Sequence, residues 1–252
     1  MTSFCPNFNS SFWLALPILA ASLLASCDDG HVDDPVYVDD TKAYSVRIIG
    51  TFNGMSDWND DYQVVLAGYD DESAYSLIQK NIQSKATDGQ TDTLTLNRIP
   101  LTAKTIEISV ANVLRQRQAT IYSYEIPDGQ DPDETMTLEV GDLDLSHFGA
   151  VDAAVFQGLS CYRCHQGSEP PAGLNLTTAE AKAHLINVHS SKEPDQTLVI
   201  PGDADNSFIV KVLTDGDANV HYDHRPFFVE DGRAELLTLI KAWINSIDTQ
   251  AE

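Results

Sequence analysis

The sequence predicts two folded domains, an all-β sandwich in residues 43–146 followed by an all-α domain in residues 147–252. Two observations support this division. Short runs rich in β-branched and aromatic residues fill residues 43–140, whereas apolar residues recur at helical spacing towards the carboxyl end. The length of 252 residues suits two small domains at roughly 100–200 residues each.

The charge composition restricts the classes of partner. The chain carries 38 acidic and 15 basic side chains, which gives a formal net charge of −23. Binding to nucleic-acid phosphates needs clustered Lys and Arg, so nucleic acid is excluded as a partner. The charge is uneven, with −15 in residues 28–146 and −8 in residues 147–252. Basic proteins, cations and soluble small molecules remain as partner classes.

Residues 1–26 are predicted to be an export signal, because they carry no charged side chain and contain an apolar run that ends in small residues. The run is shorter than the roughly 20 apolar residues that span a bilayer. It closes with Leu24-Ala25-Ser26-Cys27, which resembles the lipobox of bacterial lipoproteins. The resemblance implies a lipid on the Cys27 thiol and cleavage before it. An ordinary cleaved signal with no role for Cys27 is the alternative.

Residues 27–42 are predicted to be an acidic tether. Six aspartates lie within residues 28–40, and a segment of that kind repels itself and stays extended. Together with the lipid at Cys27, the tether would hold an exported protein at the periplasmic side of the inner or the outer membrane.

Seven strands are predicted in the β domain. Ile106 to Val110 shows the clearest alternation of apolar and polar residues, which buries one face of a strand. Seven short strands in about 100 residues favour an immunoglobulin-like sandwich. The predicted strands cover residues 44–52, 62–69, 75–82, 91–99, 105–113, 119–126 and 136–140.

Helical patterns replace the strands after residue 146. Leu236, Ile240, Trp243 and Ile247 lie on one apolar stripe, which is typical of a helix packed on a core. Helices are predicted over residues 152–159, 177–190, 206–213 and 236–247.

The motif Cys161-Tyr162-Arg163-Cys164-His165 indicates the chemistry of this region. Two thiols at this spacing can bond the two vinyl groups of a haem, and the adjacent histidine can ligate its iron. A zinc site, a redox dithiol and a structural disulfide are the alternatives. Zinc usually needs four paired ligands, and no second CxxC is present in the sequence. A thioredoxin-type dithiol needs a βαβ context. We therefore predict one covalently bound haem c.

Residues 147–252 resemble a small class I c-type cytochrome at the carboxyl end of a bacterial lipoprotein. The resemblance implies a cytochrome c-like fold, His165 as the proximal iron ligand, and Phe156 packed against Trp243. The matching segments are CYRCH at 161–165, residues 172–176, residues 201–208 and LLTLIKAWI at 236–244.

The sixth iron ligand is the open question. Many relatives supply a methionine from a Met-Pro step, but the corresponding step here is Arg225-Pro226 and no methionine follows Met136. His221 and His224 are the candidate distal ligands. His221 is favoured because its spacing to Phe227 resembles that of relatives with a distal histidine. The alternative is a five-coordinate or water-bound iron with both histidines in solvent.

Five other side chains have predicted lesser roles near the haem. His184 and His189 are expected at the surface or against a haem propionate. Arg163, and either Lys211 or Arg225, could pair with the propionates, because Arg suits bidentate carboxylate binding.

The predicted function is single-electron transfer between exported redox partners by a membrane-tethered monohaem cytochrome, without enzymatic activity. The net charge favours a redox partner with a basic docking face. Two alternatives stay open. One is a haem-based sensor or peroxide-active protein with an open iron position. The other is a carbohydrate- or protein-binding β-sandwich with an attached cytochrome, using an aromatic platform of Trp58, Tyr62, Tyr69, Tyr75, Tyr122 and Tyr124.

Overall fold

A computed structural model describes residues 42–55, 58, 61–83, 86–216, 218, 220–228 and 233–249. The predicted signal peptide, the lipobox with Cys27 and the tether up to residue 41 lie outside the described residues. Within the described part, no helix has the length and apolar character needed to cross a membrane.

Residues 44–144 are built of β-sheets, as the alternating pattern predicts. The strands are β1 (Tyr44–Asn53), β2 (Tyr62–Tyr69), β3 (Ile78–Asn81), β4 (Thr91–Ile99), β5 (Thr105–Asn112), β6 (Arg117–Glu125) and β7 (Met136–Asp144). The strands β2, β4 and β5 follow the predicted bounds closely, whereas β3 is shorter and β7 is longer than predicted.

The strands form a three-stranded sheet in the order β4-β1-β7 and a four-stranded sheet in the order β3-β2-β5-β6. In the first sheet Ile48 of β1 lies beside Leu94 of the antiparallel β4 and beside Leu138 of the parallel β7. The parallel pair departs from the predicted immunoglobulin-like sandwich, whose sheets are antiparallel. The second sheet is antiparallel throughout, with Leu66 of β2 opposite Ile108 of β5.

The hydrophobic core joins the facing sides of the two sheets. Ile48, Leu66, Leu94, Ile106 and Ile108 are buried in one continuous cluster. Successive side chains of a strand point to opposite faces, so the alternating apolar positions of these strands meet between the sheets.

The predicted all-α domain is wrong. The described residues of the carboxyl-terminal segment form four α-helices, of 5, 5, 7 and 13 residues, joined by loops that also form β-bridges. Helices of 5 to 7 residues are too short to be stable alone, so packing must hold them. The helices are α1 (His147–Val151), α2 (Ala181–Leu185), α3 (Phe208–Thr214) and α4 (Ala234–Ser246).

The helix predicted over residues 177–190 shows why the segment is not all-α. Its middle is α2, which ends at Leu185. Ile186 then leaves the helix to form a parallel bridge with Val199, and Asn187 takes a left-handed conformation with φ of 57°. Asparagine tolerates this conformation better than most residues, so the chain turns where apolar periodicity alone suggests continuation.

The helical segment packs directly on the β-sheets. Ser146 caps α1 by accepting a hydrogen bond from the Gly149 amide at 3.2 Å. A side chain at Gly149 would overlap the Asp144 carbonyl, so the close passage from β7 into α1 requires glycine. The indole of Trp58 stacks on His147 with ring centres 4.0 Å apart. The described residues from 42 to 249 form one compact unit, and the domain boundary at residue 146 stays a prediction.

Helices α1 and α4 pack against each other through aromatic side chains. The ring partner of Trp243 is Phe148, at 5.3 Å between ring centres, and Phe148 also contacts Phe156 at 6.3 Å. Phe148 therefore stands between Trp243 and the predicted partner Phe156. The chain from Asp152 to Gln157 continues α1 as a π-helical turn that leads towards Cys161.

Candidate functional site

The Cys161–His165 motif folds into a single tight turn. Ser160 enters it in a left-handed conformation, and Cys161–Arg163 form one turn of 3₁₀ helix. The amides of Cys164 and His165 both donate to the Cys161 carbonyl, at 3.2 and 3.1 Å. The turn thus carries both thiols and the imidazole on five consecutive residues.

The two thiols differ in environment. Cys164 is exposed, whereas Cys161 is partly buried and its Sγ lies 3.5 Å from the Val155 carbonyl. Burial raises the pKa of the Cys161 thiol to about 11. Both thiols are free, so they do not form the structural disulfide of the alternative interpretation.

The His165 ring is oriented by the chain that follows it. Its Nδ1 lies 3.2 Å from the Leu174 carbonyl, and because a carbonyl only accepts, Nδ1 carries the proton. The Leu176 amide donates to the His165 carbonyl at 2.8 Å. Burial lowers the pKa of His165, which favours the neutral imidazole. Nε2 is then the nitrogen with a lone pair for a metal.

His224 lies opposite His165. The centres of the two rings are 6.2 Å apart and the ring planes are inclined by 39°. A metal–imidazole bond of about 2.0 Å on each side of one metal ion places the two ring centres about 6 Å apart. The Nδ1 atom of His224 is buried and has no hydrogen-bond partner among the described residues. Burial, and then the neighbouring His165, lower the pKa of His224, so both rings favour the neutral form that ligates metals.

The structure brings His224, and not His221, to His165. His221 is exposed, and no ring contact joins it to His165 in the described chain. Tyr222 is 59% exposed and stands edge-on to the His224 ring at 5.1 Å between centres. Arg225 donates from Nε and Nη2 to the carboxylate of Asp223, at 2.9 and 2.7 Å. This pair flanks His224 on both sides in the sequence.

Four of the five lesser candidates have protein partners. His184 contacts the Gly173 carbonyl through Nδ1 at 3.0 Å, and His189 forms a bridge with Thr197. Lys211 lies 3.8 Å from Glu193, and Arg225 is paired with Asp223. Arg163 is exposed. The pairing of any of these cations with a propionate stays a prediction.

The sequence reasoning missed the role of residues 170–178 as the acceptor segment for His165. Pro170-Pro171 and the following Ala172-Gly173 signal a turn, but they do not reveal which carbonyl faces the imidazole. Among the described residues no group of three or more His, Cys, Asp or Glu side chains converges to hold a metal ion. That part of the chain therefore offers no set of four ligands for the alternative interpretation of a zinc site.

Comparison with known proteins finds a similarity for one segment of the chain. Residues 161–220 match the model of a family described as Planctomycete cytochrome C. No curated protein and no solved structure matches the chain. The match begins at Cys161 itself and ends just before His221. The segment from Cys161 to Val220 is therefore similar to a cytochrome c, and the similarity supports haem binding.

Proposed function

We propose that the chain is a monohaem c-type cytochrome that carries single electrons. Cys161 and Cys164 bind haem c covalently, and His165 and His224 are its axial ligands. The observation that carries the proposal is the 6.2 Å separation of the His165 and His224 ring centres directly beside the two free thiols. Haem c supplies one-electron chemistry when bound.

The two histidines suit the role of axial ligands chemically. His165 keeps its proton on Nδ1 through the Leu174 carbonyl, which leaves Nε2 as the ligating atom. The Nδ1 atom of His224 is buried without a hydrogen-bond partner among the described residues, so it is available to a ligand. A histidine in place of methionine lowers the reduction potential, because methionine ligation raises it.

The strong negative charge suggests a partner with a basic docking face. Opposite charges raise the rate of encounter, and salt weakens the effect. The rate of electron exchange with a basic redox protein is therefore expected to fall as ionic strength rises. A rate that does not change with salt would contradict electrostatic docking.

We further propose that Cys27 carries a lipid and that the protein is exported and held at the periplasmic side of a membrane. The support is the apolar run before Leu24-Ala25-Ser26-Cys27 and the acidic tether after it. A Cys27→Ala variant should move from the membrane fraction to the soluble periplasmic fraction with its haem retained. A variant that stays in the membrane fraction would refute the anchor.

The burial of most of the aromatic side chains in this region argues against the alternative of an aromatic binding platform. Trp58, Tyr62 and Tyr69 are buried, at 9%, 9% and 0% exposure, so they contribute to packing. Tyr122 and Tyr124 pack against the core, and only Tyr75 of the six aromatic candidates is largely exposed.

The test is a spectrum of the full chain expressed with the maturation machinery for covalent haem. One haem per chain that survives denaturation is expected, with a low-spin spectrum that lacks the near-infrared methionine–iron band. His224→Ala should create an open position that binds carbon monoxide rapidly after reduction, whereas the matched His221→Ala should leave the spectrum unchanged. Rapid carbon monoxide binding by the unmodified protein would instead support the sensor or peroxide-active alternative.

A further inference from the structure

The hairpin between β5 and β6 ends in Val113-Leu114-Arg115, here called the hairpin tip. Val113 and Leu114 are 61% and 68% exposed, the two highest values among the large hydrophobic side chains of the described residues. We propose that the hairpin tip is a membrane-contact site, which inserts these two side chains into the headgroup region of a phospholipid bilayer. The proposal goes beyond the proposed function, and its test does not need the lipid at Cys27.

The composition of the hairpin tip is unusual for a turn. Turns are normally built from Gly, Asn, Asp, Ser and Pro, which suit their backbone conformations and remain in water. Arg115 instead takes a left-handed conformation with φ of 65°, a region that glycine and asparagine adopt more easily. Packing within the described chain leaves most of Val113 and Leu114 uncovered. Departures from local preference of this kind concentrate at functional sites.

The backbone of the hairpin tip is held by hydrogen bonds from the strand ends. The Oδ1 atom of Asn112 accepts from the amides of Leu114 and Gln116, each at 3.0 Å. The Asn112 amide donates to the Gln116 carbonyl at 3.0 Å, and the Arg115 amide donates to the Asn112 carbonyl at 2.9 Å. Because the tip is already ordered, it loses little conformational entropy when it meets a partner.

A second segment of chain lies alongside the hairpin tip. Tyr75 forms an antiparallel bridge with Gln116, and the Ser76 amide donates to the Arg115 carbonyl at 3.4 Å. The Tyr75 side chain is 52% exposed. Tyrosine is enriched where membranes meet water, because its ring is apolar and its hydroxyl group is polar. The neighbourhood of the tip therefore supplies aliphatic, aromatic and basic side chains together.

The charges near the hairpin tip favour a phospholipid surface as the partner. The whole chain has a net charge of −23, yet residues 108–124 contain two arginines and no acidic residue. Arg115 is exposed, and a guanidinium group is well suited to lipid phosphates. Aliphatic side chains next to arginine and tyrosine are typical of segments that lie in the membrane interface. The basic redox partner proposed above would be repelled by Arg115, so it does not fit this surface.

The membrane contact is expected to be small and weak. Asp61 and Glu235 line an open hollow next to Val113, and carboxylates favour water over an apolar phase. The contact therefore stops at the tip, and two aliphatic side chains cannot hold an unlipidated chain in the membrane fraction. Their expected role is orientation. Residues 28–42 can extend over roughly 50 Å at about 3.3–3.6 Å per residue, so a lipid at Cys27 would leave the orientation of the folded part free.

The experiment uses the Cys27→Ala chain with haem, exported behind an ordinary cleaved signal and floated with vesicles of phosphatidylethanolamine and phosphatidylglycerol. We expect measurable binding at millimolar lipid. Val113→Ser/Leu114→Ser should lower the partition coefficient at least about tenfold, because the apolar surface that enters the bilayer is lost. Arg115→Gln should lower it roughly fivefold. The matched control is Leu101→Ser, which removes a 45% exposed leucine beyond the other end of β5 and should leave the partition coefficient unchanged.

Hydrogen exchange gives a second readout on the same samples. Vesicles should increase the protection of peptides that contain residues 112–118 and leave peptides that contain residues 100–104 unchanged. Absence of vesicle binding, equal binding by Val113→Ser/Leu114→Ser, or an equal loss in Leu101→Ser would each overturn the proposal. Both serine substitutions replace exposed side chains, so the variant should unfold at the temperature of its parent, which confirms that the fold is kept.

The outcomes separate this proposal from the proposed function. If the unmodified protein carries no lipid, the anchor is refuted and the vesicle test still decides the role of the hairpin tip. If the chain contains no haem, the bound fraction is measured from protein instead of haem absorbance. Slower electron exchange with a redox protein in Val113→Ser/Leu114→Ser, with unchanged vesicle binding, would overturn the membrane contact and identify a protein-docking surface.

Discussion

The β-sheets and the helical segment differ in how their backbone groups are hydrogen-bonded and how their side chains pack. In the sheets, long strands pair their backbones with each other and bury alternate side chains such as Ile48 and Ile108. In the helical segment, short helices alternate with loops whose carbonyls are bound by side chains such as His184 and Ser191. Loops on a rigid scaffold commonly carry function, and here both candidate axial histidines lie outside the four α-helices.

The buried polar groups of the two regions also differ, in how completely they are hydrogen-bonded. Glu107 of β5 is 3% exposed, and it is paired with Arg117 at 2.6 Å and accepts hydrogen bonds from Thr105 and Thr120. In the helical segment the Nδ1 atom of His224 is instead buried without a hydrogen-bond partner in the described part of the chain. A saturated network stabilises a fold, whereas a ring nitrogen without a partner is available to a ligand.

The largest expected effect comes from removing both thiols. The Cys161→Ser/Cys164→Ser variant should bind no covalent haem, because neither thioether bond can form. We also expect the helical segment to lose much of its order while the β-sheets keep theirs, since helices of 5 to 7 residues depend on their surroundings. Hydrogen exchange with mass spectrometry would measure the two regions separately. Equal loss of protection in both would refute the idea that the sheets are the independent scaffold.

The next largest effects are expected from two core substitutions of the same type, one in the β-sheets and one in the helical segment. Ile108→Ala in β5 and Ile240→Ala in α4 each remove a side chain with 0% exposure, and each should cost about 2–5 kcal/mol in free energy of unfolding. Ile108→Ala is expected to lower hydrogen-exchange protection in both regions, and Ile240→Ala chiefly in residues 147–249. Loss of strand protection in Ile240→Ala at the same level would show that α4 is part of the scaffold.

A smaller contrast is expected between the two thiols of the haem-free protein. Burial raises the pKa of Cys161 to about 11, so little reactive thiolate is present at pH 8, while Cys164 is exposed. Alkylation with iodoacetamide should modify Cys164 at least about tenfold faster than Cys161. Peptide mass spectrometry over time gives both rates. Equal rates would show that the turn opens freely and that its burial is not maintained in solution.

The smallest expected effect concerns the surface pair beside His224. Hydrogen bonds from the Arg225 side chain hold the pKa of Asp223 at about 2, below the ordinary value of 3.8. A lowered carboxyl pKa stabilises the fold above the ordinary value, and this contribution is lost as the pH falls towards 2. The unfolding temperature of the unmodified protein should therefore exceed that of Asp223→Asn slightly at pH 6, and the difference should vanish near pH 2. The difference is small because the pair is exposed to solvent.

Local features of the chain were predictable from the sequence. The alternation of Ile106 to Val110 identified a strand with one buried face, and β5 covers it, but Glu107 and Ser109 on its other face are buried as well. The turn at Cys161–His165 was predictable because its chemistry depends on five adjacent residues. The extent of the helix around Ala181 could not be predicted. The left-handed turn at Asn187 and the bridge of Ile186 to Val199 involve partners distant in the sequence.

The sequence by itself determined the β-rich first half, the pair of thiols with the adjacent imidazole, and two histidine candidates for the position opposite. It favoured His221 over His224 on spacing alone; only two residues in a loop separate them, and loop direction depends on distant contacts. The tertiary structure decided that His224 faces His165 and that Phe148 contacts Trp243. The physical reason is common to both: adjacent residues are constrained by covalent geometry, whereas the distance between remote side chains depends on how the intervening chain packs.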